Sequence, residues 1–241
     1  MRRPMNATEL LKETMTEATT PAGNEHDAAM PAAAYRMTSH EILALLAFQP
    51  GAGTALTRRV LGLAELPDDH DLVRAGVGTL NIRDTVEING EEVTLLAQAR
   101  ILARIFSTSS EWYDITRIGA EAVSPSYLVD SPAGRAAIFL RPLSEYVCLP
   151  LRDDVDLLDF VQLTVDEAVA ALGTEGGGIV SSRRYRVEAD KPVVANIKVL
   201  DAGSLQLASA PLDDDGQLGV RDLAAAEQPG LIVRTVLAAA S

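Results

Sequence analysis

A chain of 241 residues that is 47% hydrophobic carries enough apolar material for one large core or two smaller ones, and with aromatics at only 4% that core must be aliphatic. A formal charge of −13 works against phosphate backbones and anionic lipid, which speaks against a nucleic-acid or membrane-surface partner. The lone Cys148 excludes an intrachain disulfide, no run nears the about 20 apolar residues of a membrane span, and Met5 to Thr20 lacks the apolar core of a signal peptide, so a cytoplasmic protein is expected.

In chain order, residues 1–36 read as a flexible N-terminal arm, loop-like from Thr19 to Ala34. Within it Asn6 to Ala18 is spaced for a short helix, with Leu10, Leu11 and Met15 on one face, formed on docking to a partner or to the body of the protein. Thr38-Ser39-His40-Glu41 is a capping-box pattern that opens a helix with Ile42, Leu45, Leu46 and Phe48 on its apolar face, ended by Pro50-Gly51-Ala52-Gly53. Thr54 to Leu61 and Asp71 to Ile82 read as two more helices. Asn89-Gly90 then marks a hairpin, because both residues tolerate positive φ, and Leu95 to Phe106 is an amphipathic helix. Residues 37–110 thus form a helical module with a small hairpin, a winged-helix-like layout, although its candidate reading segment Asp71 to Asp84 has only Arg74 and Arg83 as strong cations.

Residues 111–241 read as a sheet-plus-helix region, continuous with 37–110 or separate from it. Trp112 to Ile118 alternates as a strand and Ser126 to Val129 as a weaker one. Ser131 to Arg152 reads as two antiparallel strands, around Arg135 to Leu140 and Tyr146 to Leu151, forming the middle of a sheet. From Asp153 a helix follows with Leu157, Val161, Val165, Ala168 and Leu172 on one face, with a second capping pattern at Thr164 and Glu167 that would allow a break near Leu163. Gly173 to Gly178 is a turn, since it lacks the terminal Lys-Ser/Thr of a phosphate loop. Ser182 to Val187, Val193 to Leu200 and Ser204 to Ala208 are strands, and Gln217 to Ala226 and Leu231 to Ala240 read as helices. The expected fold class is therefore α+β: a central, mostly antiparallel sheet with helices packed around it and the winged-helix-like part at the N-terminal end.

The chemical inventory is sparse. His26, His40 and His70 sit in dissimilar contexts, no Gly-x-Ser-x-Gly elbow or paired metal-ligand spacing occurs, and the acidic runs Asp68-Asp69-His70-Asp71 and Asp213-Asp214-Asp215 read as a helix cap and a solvated turn. No catalytic residue, metal site or cofactor is expected. Arg183-Arg184-Tyr185-Arg186 stands out as a basic cluster on an acidic molecule, of the composition favoured at protein contacts, and is the candidate partner-binding site. A non-enzymatic protein-binding adaptor is the first reading, against a winged-helix regulator with a ligand-sensing sheet and an enzyme whose site assembles from distant residues.

Leu80-Asn81-Ile82-Arg83-Asp84 before an Asn-Gly turn, the Leu95 to Phe106 helix, Trp112 entering a strand, and Gly134 to Arg141 leading to a covering helix together resemble the EspG-type secretion chaperones of actinobacterial type VII (ESX) systems, over roughly residues 38–172. The resemblance implies a central antiparallel sheet wrapped by helices, and cytosolic binding of helical secreted PE–PPE substrates without catalysis. The Ala-rich, Arg-over-Lys composition is compatible with a high-GC actinobacterium. No contact residue carries over, because the resemblance rests on no sharp motif.

Overall fold

A computed structural model describes residues 34–239 apart from 65, 67–69, 91, 201–202 and 213–215. Most of the N-terminal arm, with the helix expected over Asn6 to Ala18, part of the first acidic run and all of Asp213-Asp214-Asp215 therefore lie outside the described residues. The described residues open with β1 (Tyr35–Thr38), where the sequence places order only from Thr38, and β1 pairs antiparallel with β7 (Glu145–Leu151). The helices α1 (Ser39–Phe48), α2 (Thr54–Val60) and α3 (His70–Ile82), the hairpin β2 (Val86–Asn89) and β3 (Glu92–Leu95), and α4 (Ala97–Ser107) follow as the sequence predicts.

The capping box at α1 is formed: Thr38 N donates to Glu41 Oε2 at 2.7 Å while Glu41 N donates to Thr38 Oγ1 at 3.3 Å. Glu41 is fully buried and pairs with Arg83 at 3.4 Å, and Arg83 also donates to the Arg36 carbonyl, so one guanidinium ties the end of α3 to the start of α1. Helix α3 approaches α1 closely because Gly76 has no side chain; a Cβ there would overlap the His40 carbonyl oxygen and lie 2.9 Å from Ala44 Cβ. Gly76→Ala is expected to cost about 1–3 kcal/mol through overpacking. A urea midpoint that falls at unchanged m-value is the signature; an unchanged midpoint would mean that the two helices part without loss.

The rest of the chain runs β4 (Glu111–Ile118), β5 (Val123–Ser131), β6 (Gly134–Arg141), β7, α5 (Leu157–Thr174), β8 (Gly178–Arg186), β9 (Val193–Val199), β10 (Leu205–Leu212), β11 (Leu218–Asp222) and α6 (Pro229–Ala239). Among the described residues nine strands form one sheet in the order β1-β7-β6-β5-β4-β8-β9-β10-β11, with every pair antiparallel. The molecule is α+β. The middle strand is β4, not the β6–β7 pair, which lies toward one edge. Gln217 to Ala226, read as a helix, instead supplies β11: Leu218 to Asp222 completes the ladder of β10, and pairing with an open strand edge outweighs a helix that has Gly219 within it. Helix α5 is unbroken, because Thr164 Oγ1 donates back to the Phe160 carbonyl at 2.9 Å rather than capping a new helix.

Strand alternation sends side chains to two separate cores. On the front face Trp112, Val129, Ile138, Tyr146 and Cys148 pack with the helices of residues 39–107, and Trp112 stacks on Phe106 with centroids 6.0 Å apart. On the back face Tyr113, Ile115, Leu128, Phe139, Val180 and Ile197 pack under α5 and α6. Each large aliphatic or aromatic group so buried contributes roughly 1.5–3 kcal/mol.

Candidate functional site: the uncovered half of the sheet

The back face is lined with core residues from β7 across to β10, whereas the front-face cover stops at β4 and the near end of β8. Where it stops is visible in the register. Val129, Trp112 and Tyr185 form a cross-strand row under the N-terminal helices, and Arg59 of α2 lies over the Tyr185 ring at 5.5 Å. The next row, Tyr127, Asp114, Arg183 and Val194, lies at the margin. Beyond it are two rows that belong to neither core. One runs Pro125, Thr116, Ser181, Asn196, Ala208, Val220, and the outermost runs Val123, Ile118, Ile179, Lys198, Gln206, Asp222.

This half-face is a mixed surface with an aliphatic strip. Val123 is 64% exposed, Ile118 38%, Ile179 37% and, at the far edge, Val220 66%. Most other large exposed aliphatics are scattered singly, but Val123, Ile118 and Ile179 are direct cross-strand neighbours. Leu143, at the tip of the β6–β7 turn and wholly exposed, emerges at the same end of the sheet. Contiguous exposed apolar groups rimmed by polar ones are the mark of a contact surface.

The polar groups on the margin are coupled. Asp114 accepts from Thr116 Oγ1 at 2.6 Å and from Arg183 Nη1 at 3.5 Å. Burial raises the Asp114 carboxyl above its ordinary range; the Thr116 hydrogen bond and the Arg183 charge oppose that rise without cancelling it. A folded-state value above the unfolded one means that the native state binds the proton more readily, so Asp114 favours folding at low pH and loses that contribution as pH rises through its raised value. Asp114→Asn, which keeps the acceptor for Thr116, is expected to raise the melting temperature at pH 7, with the gain shrinking toward pH 4. A melting temperature lowered at every pH would show that the Arg183 pairing outweighs desolvation.

The run singled out in the sequence divides between the two faces. Arg183 and Tyr185 point to the front: Arg183 lies at the margin of the uncovered half with its side chain 44% exposed, and Tyr185 packs beneath α2. Arg184 and Arg186 point to the back, where both pair with Glu111 Oε2, at 2.7 and 3.1 Å. Arg184 is buried, donates to the Leu237 carbonyl of α6 at 2.7 Å and stands 5.9 Å over the Tyr113 ring. The structure thus brings Arg183 together with Ile179, Ser181 and Lys198, residues that the sequence reading did not select. Their shared signal is period-two alternation on β4, β8 and β9, but alternation alone does not tell which sheet face lacks a cover.

His40 is exposed on α1, and among the described residues no group of three or more His, Cys, Asp or Glu is placed to hold a metal ion. No helix among them is long and apolar enough to cross a membrane. The winged-helix-like order of α1 to β3 is present. The exposed row of α3, which includes Asp71, Arg74, Ala75, Gly78 and Asn81, offers one cation, and Arg74 is paired with Asp71 at 3.4 Å.

No protein-family model matches this chain, and no curated protein matches it. Among solved structures it is similar to the Mycobacterium tuberculosis type VII secretion system chaperone EspG5, determined in complex with a PE25-PPE41 dimer. The likeness covers 85% of this chain and 94% of that one with a TM-score of 0.50 and 9% sequence identity. At that identity it shows a shared fold, the α+β sheet architecture that the sequence resemblance implies.

Proposed function

We propose that the chain is a non-enzymatic chaperone or adaptor that docks a helical protein partner on the uncovered front half of its sheet. The observation that carries this reading is the Val123-Ile118-Ile179 strip on a sheet half that belongs to neither core, in a fold shared with a secretion chaperone solved with its protein partner. By that likeness the partner is a secreted helical substrate of PE–PPE type, held in the cytosol before export. The apolar strip supplies the desolvated centre of the contact, and Arg183 and Lys198 supply its polar rim.

Affinity purification of the full chain from its source organism, followed by titration of the purified partner, tests the proposal. Recovery of no stoichiometric helical protein under several growth conditions would count decisively against it. Of the arginine run, Arg183 is the contact residue proposed. Arg183→Gln is expected to weaken the partner by about tenfold, or about 1.4 kcal/mol, while the charge lost beside Asp114 shows separately as a small fall in the melting temperature at pH 7. Equal affinity would remove Arg183 from the contact.

A further inference from the structure

We infer that Leu143 is a docking anchor: with Val123, Ile118 and Ile179 it forms an apolar ladder that takes one helix of the partner, laid across the strands. The inference rests on the reading of the uncovered half-face as a docking surface, and it names the geometry of what docks there. Leu143 is 99% exposed and belongs to neither core, yet its φ is +65°, in the left-handed region, with Ser144 beside it at +56°. Residues other than Gly, Asn and Asp enter that region at a steric cost. A leucine exposed there gains nothing from burial to offset it. Strained backbone that holds out an aliphatic group with no internal packing points to a contact made with another molecule.

The register sets Leu143 in line with the strip. Ser126 pairs with Phe139, and continuing that register to the end of the hairpin brings Val123 beside Pro142, with Leu143 next in the turn. Val123 pairs with Ile118, and Ile118 with Ile179. The four groups therefore stand on successive strand positions, about 4.8 Å apart and about 14 Å from end to end. A helix with apolar groups at i, i+3, i+7 and i+10 spans about 15 Å at its rise of about 1.5 Å per residue, so each group meets one rung. A helix aligned with the strands, about 10–12 Å wide, would cover only about two of them. One strand beyond Ile179 stands its cross-strand neighbour Lys198, which has no ion pair among the described residues and so selects a carboxylate one turn past the apolar stripe.

Leu143→Asn separates the anchor from the fold. Asparagine tolerates positive φ, so the variant is expected to raise the melting temperature by about 2–4 °C while weakening the partner about tenfold. Unchanged affinity would overturn the inference, and so would a fall in melting temperature, which would show that Leu143 packs within the fold. Benzophenone attached at Leu143→Cys or at Ile179→Cys in the full chain maps the geometry. Cys148 is fully buried, and burial pushes its thiol up, so it stays unlabelled. Photolysis with the helical protein recovered by affinity purification should place the two cross-links on one helix, about 8–12 residues apart. Cross-links on separate helices, or capture from 179 but not from 143, would overturn the ladder and leave the docking surface standing. Capture of a second copy of this chain from 143 would overturn it too, by assigning the turn to a self-interface. Capture from neither position refutes the docking surface itself.

Discussion

Arg184→Ala is expected to lower the unfolding free energy by about 3–5 kcal/mol, because it leaves a largely buried carboxylate without its main partner. Arg184 joins three elements: β8, on which it sits, β4 through Glu111, and the end of α6 through the Leu237 carbonyl. With Arg184 gone, Arg186 still donates to Glu111 at 3.1 Å, which places the loss toward the lower end of that range, but the Leu237 carbonyl loses its donor. Lysine should recover only part, since a single ammonium cannot reproduce a planar guanidinium that reaches a carboxylate and a carbonyl together. Urea unfolding followed by the fluorescence of the buried Trp112 measures this, and a loss below about 1 kcal/mol would mean that the pair merely offsets its own desolvation.

The same cluster sets an acid limb. Burial alone would raise the Glu111 carboxyl, but hydrogen bonds from Arg184, Tyr113 and Arg186 outweigh it and hold the group below the ordinary carboxylate range. A depressed folded-state value contributes stability above the unfolded value of about 4.3 and loses it as pH falls through the folded one. Arg184→Ala should therefore flatten the acid limb of the stability profile as well as lower its plateau. Asp114 acts in the opposite direction, which gives the two carboxylates of β4 opposite pH signatures.

Much of the secondary structure was legible in the sequence because it depends on short-range chemistry. The Thr38–Glu41 box, the Asn89-Gly90 turn and the α5 periodicity each specify their own element within a few residues. What depends on long-range pairing was not legible. Gln217 to Ala226 carries only the short Leu218, Val220 alternation as a local strand signal, and pairing with the edge of β10 makes Leu218 to Asp222 a strand. The β6–β7 strands look central because they are apolar on both sides, and so they are, but two covered faces do not imply the middle of the order. The arginine run shows the same limit at the site. Its alternation is readable, yet the fact that Arg184 and Arg186 meet Glu111, some 75 residues away, is set by the β4–β8 register.

Ile179→Asp is expected to weaken partner binding by about 30-fold or more, the loss of about 2 kcal/mol that marks a hot-spot residue at the centre of an interface. Ile179 sits between Ile118 and Lys198, so a carboxylate there puts a charge, and the water it holds, into the middle of the aliphatic strip. The fold should tolerate the change. Ile179 belongs to neither core, its cross-strand neighbour Lys198 can pair with the new carboxylate, and the reduced strand propensity costs at most about 1 kcal/mol. Ile88→Asp on the β2–β3 hairpin is the control: at 43% it is as exposed as Ile179 at 37%, but it lies off the sheet, and its affinity should match the parent chain. If the two variants lose affinity equally, the partner is responding to general acidity rather than to this strip. If Ile88→Asp alone loses it, the contact lies on the N-terminal module and the uncovered half-sheet is not the docking face.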